Sequence, residues 1–443
     1  MDTEDPRAIP GGDDLPGLQQ WLAEHQPYVI ADELARIDAV DAVVAFRLLD
    51  KERALAVFEE LEPVDQQRIL LGLRDHVFRD LVEEMDPDDR ARMLGEAPAK
   101  VAKRVLAGLS ANERRMTAAL LGYPEGSVGR VMTPETVNVS PDMSAEVALG
   151  VVRSKGADAE TVYTLPVLDA GRRLTGVVKL RELLLSPSGH RVAELIDPDV
   201  PHAHVTDDAE AAARLMRETN ILGLPVVDSE DRLVGLLTID DAVELIEAAD
   251  TEDAARQAGA APWAGHYMST GVWQLARSRA VWLLLLIVAA TLTVNVLQVF
   301  EATLAEVTAL ALFVPLLVGT GGNAGAQAAT AAVRAMAVGE VRGSDLVRVV
   351  WREGRVGLLL GVMLATVGMV VAALLVDGRI ALVVAISLVA ICTWATTVGA
   401  TMPLLAKRLR IDPAVVSAPM VTTLVDATGL IIYFVTAQLV LGL

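Results

Sequence analysis

Long apolar runs in the C-terminal part of the chain constrain its fold more than any other feature. Residues 281–300 carry no charge and suffice for one crossing of a bilayer, which takes about 20 apolar residues. Further charge-free runs cover 307–333, 356–376 and 380–406, and a last run extends from 414 to 443. The sequence therefore predicts an all-α membrane domain with five transmembrane helices.

The loops between these runs predict the orientation in the membrane. Arginine and lysine cluster at 334–355 and 407–410, whereas the alternate loops carry Glu301 and Glu306 or consist of the short segment 377–379. Because basic loops stay in the cytosol, we expect the residues before the first run, and the loops 334–355 and 407–412, inside. The C-terminus is expected outside, in a multi-pass protein of the plasma (inner) membrane.

The second run contains an unusual polar and glycine-rich stretch. Pro315 and several glycines precede Asn323 and Gln327, which predicts a kinked or broken helix beside a water-filled cavity. Close packing through small residues is the alternative. Packing explains the glycines better than it explains Asn323 and Gln327, so a pore-lining role is favoured.

The last run contains one charge, Asp426, one turn after Thr422 and Thr423. A charge near the bilayer centre costs roughly 2.5–3.5 kcal/mol on insertion scales. The cores of the five runs hold no arginine or lysine, so an internal salt bridge has no candidate. We interpret Asp426 as facing a wet pore in which a passing cation compensates its charge. The threonines of the fourth run are explained equally well by hydrogen bonds to their own helix.

Charge is divided unevenly along the 443 residues. The chain has 58 acidic and 38 basic residues, of which eight and eleven lie in 271–443, leaving 50 and 27 in 1–270. Such an acidic half repels nucleic acid and attracts cations, although solubility alone is the simpler explanation. The single cysteine, Cys392, excludes an intrachain disulfide. Residues 1–19 are predicted to form a disordered tail and lack the features of a signal peptide.

Two internal repeats organise the acidic half. Similar phrases begin at Ile37, Leu61, Met85 and Leu109, with weaker ones halfway between. This period of 24 predicts an α-solenoid of short helices. One phrase carries "EEMDPDDR" at 83–90, where Asp88 and Asp89 are candidate ligands of a hard divalent cation.

The second repeat has a period of 59, from "LPVLDAGRRLTGVVKLREL" at 165 to "LPVVDSEDRLVGLLTIDDA" at 224. Each copy predicts two strands and a helix, and the pair resembles CBS domains. The resemblance implies a nucleotide site at Thr238 and Asp241, whereas the first copy departs from the pattern with Lys179 and Glu182.

The histidines at 202 and 204 are interpreted as structural. From Asp240 onward a helical stretch carries seven acids against one arginine, among them Asp241, Glu244, Glu252 and Asp253. A solvated face is the simpler interpretation.

Together these parts resemble the MgtE family of magnesium channels. The resemblance rests on "YPEGSVGRVMTPE" (123–135), the CBS pair, "GTGGNAGAQ" (319–327) and "IDPAVVSAPMVTTLVDATGLIIYF" (411–434). It implies that Asp426 recognises hydrated magnesium with the backbone around Thr422 nearby. From their places in the spans, Thr423 and Asn323 are further candidates for this pore site. It also implies regulatory magnesium sites at Asp88 or Asp89, Asp241, Glu252, Asp253 and Asp412. Glu244, on the same acidic helical stretch as Asp241, is a further candidate. The segment "RSRAVWLL" (277–284), near the expected start of the first span, lacks a proline common in the family.

The resulting expectation is a homodimeric magnesium channel, closed by cytosolic Mg²⁺ and modulated by ATP, without partners among nucleic acids. The alternatives are a channel for Mn²⁺ or Co²⁺ and a non-conducting membrane sensor of nucleotides. An enzyme is not expected, since the chain has no P-loop, no H-E-x-x-H motif and no Cys/His cluster. The expected parts are the tail (1–19), a helical N-domain (20–125), two CBS copies (126–190 and 191–249), a connecting plug helix (250–275) and the membrane domain (276–443).

Overall fold

The computed structural model describes residues 9–10, 14–262, 267–268, 270–409, 411, 416 and 418–443. The chain divides into two compact units. The first unit comprises 1–249 with 264–270, and the second comprises 250–263 with 271–443.

The first unit begins with a succession of short helices. They are α1 Leu15–Glu24, α2 Pro27–Arg36, α3 Ala39–Phe46, α4 Lys51–Glu59, α5 Pro63–Gly72, α6 Asp75–Glu84, α7 Pro87–Glu96, α8 Ala99–Gly108 and α9 Ala111–Leu121. From α3 onward each helix starts twelve residues after the one before it, so the repeat of 24 is a pair of helices. Asp38, Asp50 and Ser110 cap α3, α4 and α9 by accepting backbone N–H groups. The predicted helical N-domain is confirmed.

Two small sheets follow in the same unit, and the last helix after them crosses into the second unit at residue 250. Their elements are α10 Val128–Val131, α11 Ala145–Lys155, β1 Thr164–Leu168, β2 Leu174–Lys179, α12 Leu180–Leu185, β3 Ala203–His204, α13 Ala209–Thr219, β4 Gly223–Val227, β5 Leu233–Thr238 and α14 Ile239–Gln257, with 3-10 turns at Gly156–Asp158 and Val192–Glu194. Strands β1 and β2 are antiparallel, and β4 pairs antiparallel with β5 and parallel with β3. Each copy of the repeat of 59 thus forms a hairpin of strands followed by a helix, as expected for a CBS pair.

The helical part and the second CBS copy share one hydrophobic core. Ala91 of α7 and Leu120 of α9 are buried with Leu224 of β4 and Leu237 of β5. Because an apolar core holds its members in fixed positions, α7 is firmly placed against the strands. This packing positions the acids of α7 against those of α14.

The second unit contains the membrane helices. Its elements are α15 Val272–Val299, α16 Glu301–Glu306, α17 Val314–Ala337, α18 Leu346–Leu375, α19 Gly378–Arg408 and α20 Ala418–Leu441, with 3-10 turns at Thr308–Phe313 and Gly343–Asp345. Five helical segments of the described chain are long and apolar enough to cross a membrane, which agrees with the five predicted spans. The first begins at Val272, nine residues before the first predicted run.

Of the kink or break predicted in the second span, the break is wrong. Helix α17 is continuous through the glycine-rich stretch, and the irregular turn lies before it, at Thr308–Phe313. Pro315 occupies the first turn of α17, where its missing N–H is not needed. The glycines serve helix packing instead: a Cβ on Gly399 of α19 would lie 2.2 Å from the carbonyl oxygen of Gly325. The small-residue alternative therefore explains the glycines.

This close approach predicts that Gly399→Ala destabilises the membrane unit, because the added methyl group must push α19 away from α17. The expected cost is about 1–3 kcal/mol, typical of overpacking. Thermal unfolding of the purified protein in detergent measures it. Gly378→Ala is the matched control, since a Cβ at Gly378 meets no atom within 4 Å. Equal melting temperatures for the two variants would contradict the packing described here.

Candidate cation sites

The carboxylate of Asp426 lies at a glycine contact between two membrane helices. Asp426 is half-buried on α20, and a Cβ on Gly322 of α17 would lie 3.2 Å from its Oδ1 and 3.4 Å from the Cβ of Thr422. Thr422 and Thr423 both donate their hydroxyl hydrogens to the carbonyl oxygen of Pro419, at 2.8 Å. Their oxygen lone pairs therefore remain available to a ligand.

An exposed stripe that includes two amide side chains runs along α17 beside this contact. Asn323 and Gln327 are exposed and one turn apart, on a stripe that is extended by Gly319 and Pro315 on one side and by Ala331 on the other. The structure therefore brings Thr422, Thr423 and Asp426 together on α20 and leaves Asn323 on an open face of α17. An exposed amide at this depth requires water or another protein surface.

The threonine hydroxyls at 393, 396, 397 and 401 of the fourth span all donate hydrogen bonds to backbone carbonyls. Thr393, Thr397 and Thr401 each donate to a carbonyl of their own helix at 2.5–2.7 Å, and Thr396 donates to the carbonyl oxygen of Glu353 at 2.9 Å. The expected bonds to their own helix are present for Thr393, Thr397 and Thr401, whereas Thr396 bonds to the neighbouring helix α18.

The segment after α14 contacts the membrane helices within the second unit. Gly259 has a positive φ of 71°, and a Cβ there would lie 2.6 Å from the Trp282 ring of α15 and 3.3 Å from Pro419. The Ala261 N–H donates to the carbonyl oxygen of Ser278. Pro419 is the residue whose carbonyl holds the two threonines below Asp426, so this segment adjoins the same turn of α20.

In the first unit, three carboxylates from distant parts of the chain form a buried carboxylate group. Asp88 lies on α7, Glu160 lies before β1 and Asp241 lies in the first turn of α14, and one oxygen from each lies within 4.8 Å of the others. Asp88 is only 5% exposed. Its Oδ1 and the Oε2 of Glu160 are buried without a hydrogen-bond partner, although buried polar atoms normally have one. Oxygen ligands in this arrangement suit a hard divalent cation.

Burial changes the proton affinity of this group. It raises the pKa of Asp241 to about 8, despite the opposing hydrogen bond from the Thr238 hydroxyl at 2.7 Å. It raises the pKa of Glu160 to about 7. Burial, reinforced by the negative charges of Asp241 and Glu160, holds the pKa of Asp88 well above its usual range. Without a cation, the group keeps protons near neutral pH.

Asp89 belongs to a second, less buried group with Glu59 and Asp86, whose oxygens also lie within 4.8 Å of one another. Burial raises the pKa of Glu59 to about 8 and that of Asp89 to about 6. Asp89 additionally pairs with Arg92 at 3.3 Å, and Arg92 also pairs with Glu244. Glu244 is thus engaged by an arginine in this structure, outside both carboxylate groups.

The remaining predicted regulatory acids are not gathered at these groups. Glu252 pairs with Arg256 one turn further along α14, and Asp253 lies half-buried on the same helix. Asp412 lies outside the described residues. Thr238, predicted to bind a nucleotide together with Asp241, is 2% exposed, and its hydroxyl donates to the Asp241 carboxylate. The predicted nucleotide site therefore shares Asp241 with the carboxylate group of Asp88 and Glu160.

Glu59 and Glu160 were missed by sequence reasoning. Glu160 precedes a strand and Glu59 ends a helix, positions at which acids are common for solubility alone. Other acids of the "EEMDPDDR" segment have local roles: Glu83 accepts the Ser110 N–H at 2.9 Å and Glu84 pairs with Lys51 at 2.5 Å. No pattern in the sequence separates the ligand candidates from these.

Comparison with known proteins places the chain in a family. A family model described as the MgtE divalent cation transporter matches residues 314–436, the MgtE intracellular N domain matches 25–126, and CBS domains match 128–189 and 192–248. The magnesium transporter MgtE of Thermus thermophilus is 39% identical over 434 residues, covering 97% of this chain and 96% of the relative. The chain belongs to the MgtE family.

Other members support the assignment. The magnesium transporter MgtE of Bacillus subtilis is 30% identical over 355 residues, covering 80% of this chain and 78% of that protein. A crystal structure of the cytosolic domain of the Mg²⁺ channel MgtE in complex with ATP matches with 35% identity and a TM-score of 0.50, covering 53% of this chain and 96% of that one. The fold class expected from the sequence is thereby confirmed for this MgtE member.

The raised pKa values predict that Mg²⁺ binding to the MgtE first unit releases protons, since a metal binds the deprotonated carboxylates. Release should be larger at about pH 7, below the pKa of Asp241, than at about pH 9, above it. Titration calorimetry in buffers of different ionisation heat measures the protons released. Equal release at the two pH values would contradict the assignment.

The same shifts give a sign for stability. The native pKa values lie above the unfolded ones, so these carboxyls stabilise the cation-free unit most below about pH 4 and lose that contribution as the pH rises through about 7 to 8. Added Mg²⁺ should restore stability at the alkaline end.

Proposed function

We propose that this protein is a magnesium channel that carries Mg²⁺ into the cytosol through the membrane unit. The observation that carries the proposal is the carboxylate of Asp426 at the Gly322 contact, on an apolar helix and above two threonine oxygens. The relatives named as magnesium transporters add the identity of the ion. Mg²⁺ keeps most of its waters and is held by few carboxylates, which fits a site with one acid per chain.

The pore is proposed to form on the two-fold axis of a homodimer. One chain offers a single carboxylate within its spans' cores and leaves the Asn323–Gln327 face of α17 open. A second copy would cover that face or enclose a water-filled pore beside it, and would bring two Asp426 side chains to one axis. Two-fold dimers are also the commonest symmetric assembly. The N-terminal unit is proposed to lie in the cytosol and the C-terminus outside, from the distribution of basic loops.

Asp426→Asn is expected to abolish Mg²⁺ flux into liposomes while leaving the mass of the detergent-solubilised dimer unchanged, because it keeps the side chain's size and removes its charge. Asp426→Glu should conduct with altered selectivity among Mg²⁺, Mn²⁺ and Co²⁺. Thr436→Val is the matched control on the same helix, since its hydroxyl donates to its own backbone at 2.7 Å. Normal Mg²⁺ flux through the asparagine variant would move the pore elsewhere. If the unaltered protein conducts Mn²⁺ or Co²⁺ better than Mg²⁺, the alternative of a Mn²⁺ or Co²⁺ channel is favoured. If it conducts none of these ions, the alternative of a non-conducting nucleotide sensor is favoured.

Closure by cytosolic Mg²⁺ is proposed to act through the first unit. The candidate ligands are Asp88, Glu160 and Asp241, with the group of Glu59, Asp86 and Asp89 as a second position, and Glu252, Asp253 and Asp412 retained from the family resemblance. Cations at these acids would relieve the repulsion of buried carboxylates and favour a compact unit, and several bound ions would supply the several kcal/mol that a population shift requires.

The connection to the pore is proposed to be α14. Asp241 lies in its first turn, and the segment just after its end contacts Trp282 and Pro419. We propose that the chain is divided into the tail, the N-domain, the two CBS copies, the plug helix and the membrane domain. ATP is proposed to bind at Thr238 and Asp241, by analogy with the cytosolic domain solved with ATP.

Mg²⁺ should protect residues 1–270 of the full chain from proteolysis, because bound ions favour the compact arrangement. Asp88→Asn combined with Asp241→Asn should remove most of that protection. Glu218→Gln, which neutralises an exposed acid of the same unit outside both carboxylate groups, should retain it. Protection that is independent of Mg²⁺ in the unaltered protein would refute closure by this route. The same assay with ATP tests the nucleotide, with Thr238→Val expected to lose its effect.

A further inference from the structure

Two histidines and an aspartate meet at one end of the second CBS copy. His202 and His204 flank Ala203 at the start of β3, and alternate residues of a strand share a face. Asp231 lies in the turn between β4 and β5. One ligand atom from each of the three residues lies within 4.8 Å of the other two, the imidazole ring centroids are 5.9 Å apart, and all three side chains are exposed.

The backbone holds this arrangement firmly. Strand β3 pairs with the end of β4, His204 opposite Val227, and the turn starts at the next residue. Asp228 fixes the turn by accepting the N–H groups of Glu230 and Arg232 at 2.9 and 3.0 Å. Arg232 pairs with Asp228 and Glu230. Within the described part of the chain, the Asp231 carboxylate itself takes part in no ion pair or hydrogen bond, so its oxygens are available.

The first CBS copy provides an internal comparison. In the first copy Val139 pairs with Val167, and in the second copy Ala203 pairs with Val226. Val226 follows Val167 by 59 residues, which is the period of the repeat. The counterparts of the three residues are Asn138, Ser140 and Arg172. Arg172 and Asp231 both adopt a positive φ, 64° and 60°. The same backbone therefore forms without any ligand residues, and the fold does not require two histidines and an acid at this place.

We propose that His202, His204 and Asp231 form a site for a transition-metal divalent cation of the Zn²⁺ class. Imidazole favours Zn²⁺, Co²⁺, Ni²⁺ and Cu²⁺, whereas Mg²⁺ prefers oxygen ligands alone. Two imidazoles and one carboxylate leave a fourth tetrahedral position for water or another ligand. This site is chemically distinct from the carboxylate groups and does not depend on the proposed function.

A bound ion would join the start of β3 to the β4–β5 turn. That turn also reaches the first CBS copy, where Arg232 is bridged to Arg173. The ion would thus stiffen the junction between the two copies, at the end of the hairpin opposite Thr238. Occupancy of the metal site would thereby change the flexibility of the pair without occupying the nucleotide position.

Cobalt titration of the full-length protein in detergent tests the proposal, because Co²⁺ bound to imidazole in a four-coordinate site gives a strong visible absorption. Excess Mg²⁺ in the buffer fills the oxygen-only groups. We expect one Co²⁺ per chain, displaced by Zn²⁺. The combined variant His202→Ala and His204→Ala should lose the absorption, whereas the control His190→Ala, an exposed histidine of the first copy, should keep it. Unchanged absorption in the double variant would overturn the site.

Two further measurements keep the test independent of folding in that variant. Asp231→Asn suits the left-handed backbone and should weaken Co²⁺ binding by about tenfold or more, at least the scale of losing a supporting group around a metal; unchanged affinity would overturn the three-ligand site. In the unaltered protein, Zn²⁺ should protect two histidines per chain from modification by diethyl pyrocarbonate, and mass spectrometry should identify them as His202 and His204. Protection elsewhere, or none, would also overturn it.

Discussion

A carboxylate removed from water must be compensated by a proton, a cation or a donor, and this requirement governs both units. In the membrane unit, Asp426 is half-buried on an apolar helix whose neighbours offer no basic side chain within the span cores. In the first unit, Asp88, Glu160 and Asp241 raise one another's pKa and leave buried oxygens without donors. A buried charge without a partner is strongly destabilising. A proton or a divalent cation from solution meets the requirement in each place, and the function proposed above assigns a divalent cation to both.

Close packing determines where these carboxylates lie. Gly399 approaches the carbonyl of Gly325 so closely that α17 and α19 are held at backbone contact, and Gly322 of the same stretch faces Asp426. A larger residue at Gly322 would displace the Asp426 carboxylate or fill the space beside it. In the first unit the same role falls to the shared core of Ala91, Leu120 and Leu237, which presses α7 against the strands. Small residues on the membrane helices thus position the Asp426 carboxylate, and the apolar core beside the N-domain positions the carboxylates of α7.

Sequence periodicity was sufficient to predict the elements, because short-range physics produces them. The 24-residue phrases and the apolar runs became helices near the expected positions, and Asp88, Asp241 and Asp426 were identified as candidates from their settings. Glu160 could not be predicted, since only tertiary packing brings a residue 72 positions after Asp88 into contact with it. Pairing of Glu244 with Arg92, across 152 residues, is equally non-local. The expected break in α17 failed for a related reason: glycine weakens an isolated helix, but neighbouring helices packed on it restore continuity.

The connection proposed between sensing and conduction depends on a single stiff element. Helix α14 is continuous from Ile239 to Gln257, and an α-helix transmits displacement along its axis because each turn is hydrogen-bonded to the next. Asp241, the proposed cation ligand, lies in its first turn. Just beyond its end, Gly259 abuts Pro419, the residue whose carbonyl orders Thr422 and Thr423 below Asp426. A glycine is required there by the positive φ and by the Trp282 ring. In the proposed mechanism, a cation bound at the start of α14 would act through this continuous helix on the packing of the segment that follows its end.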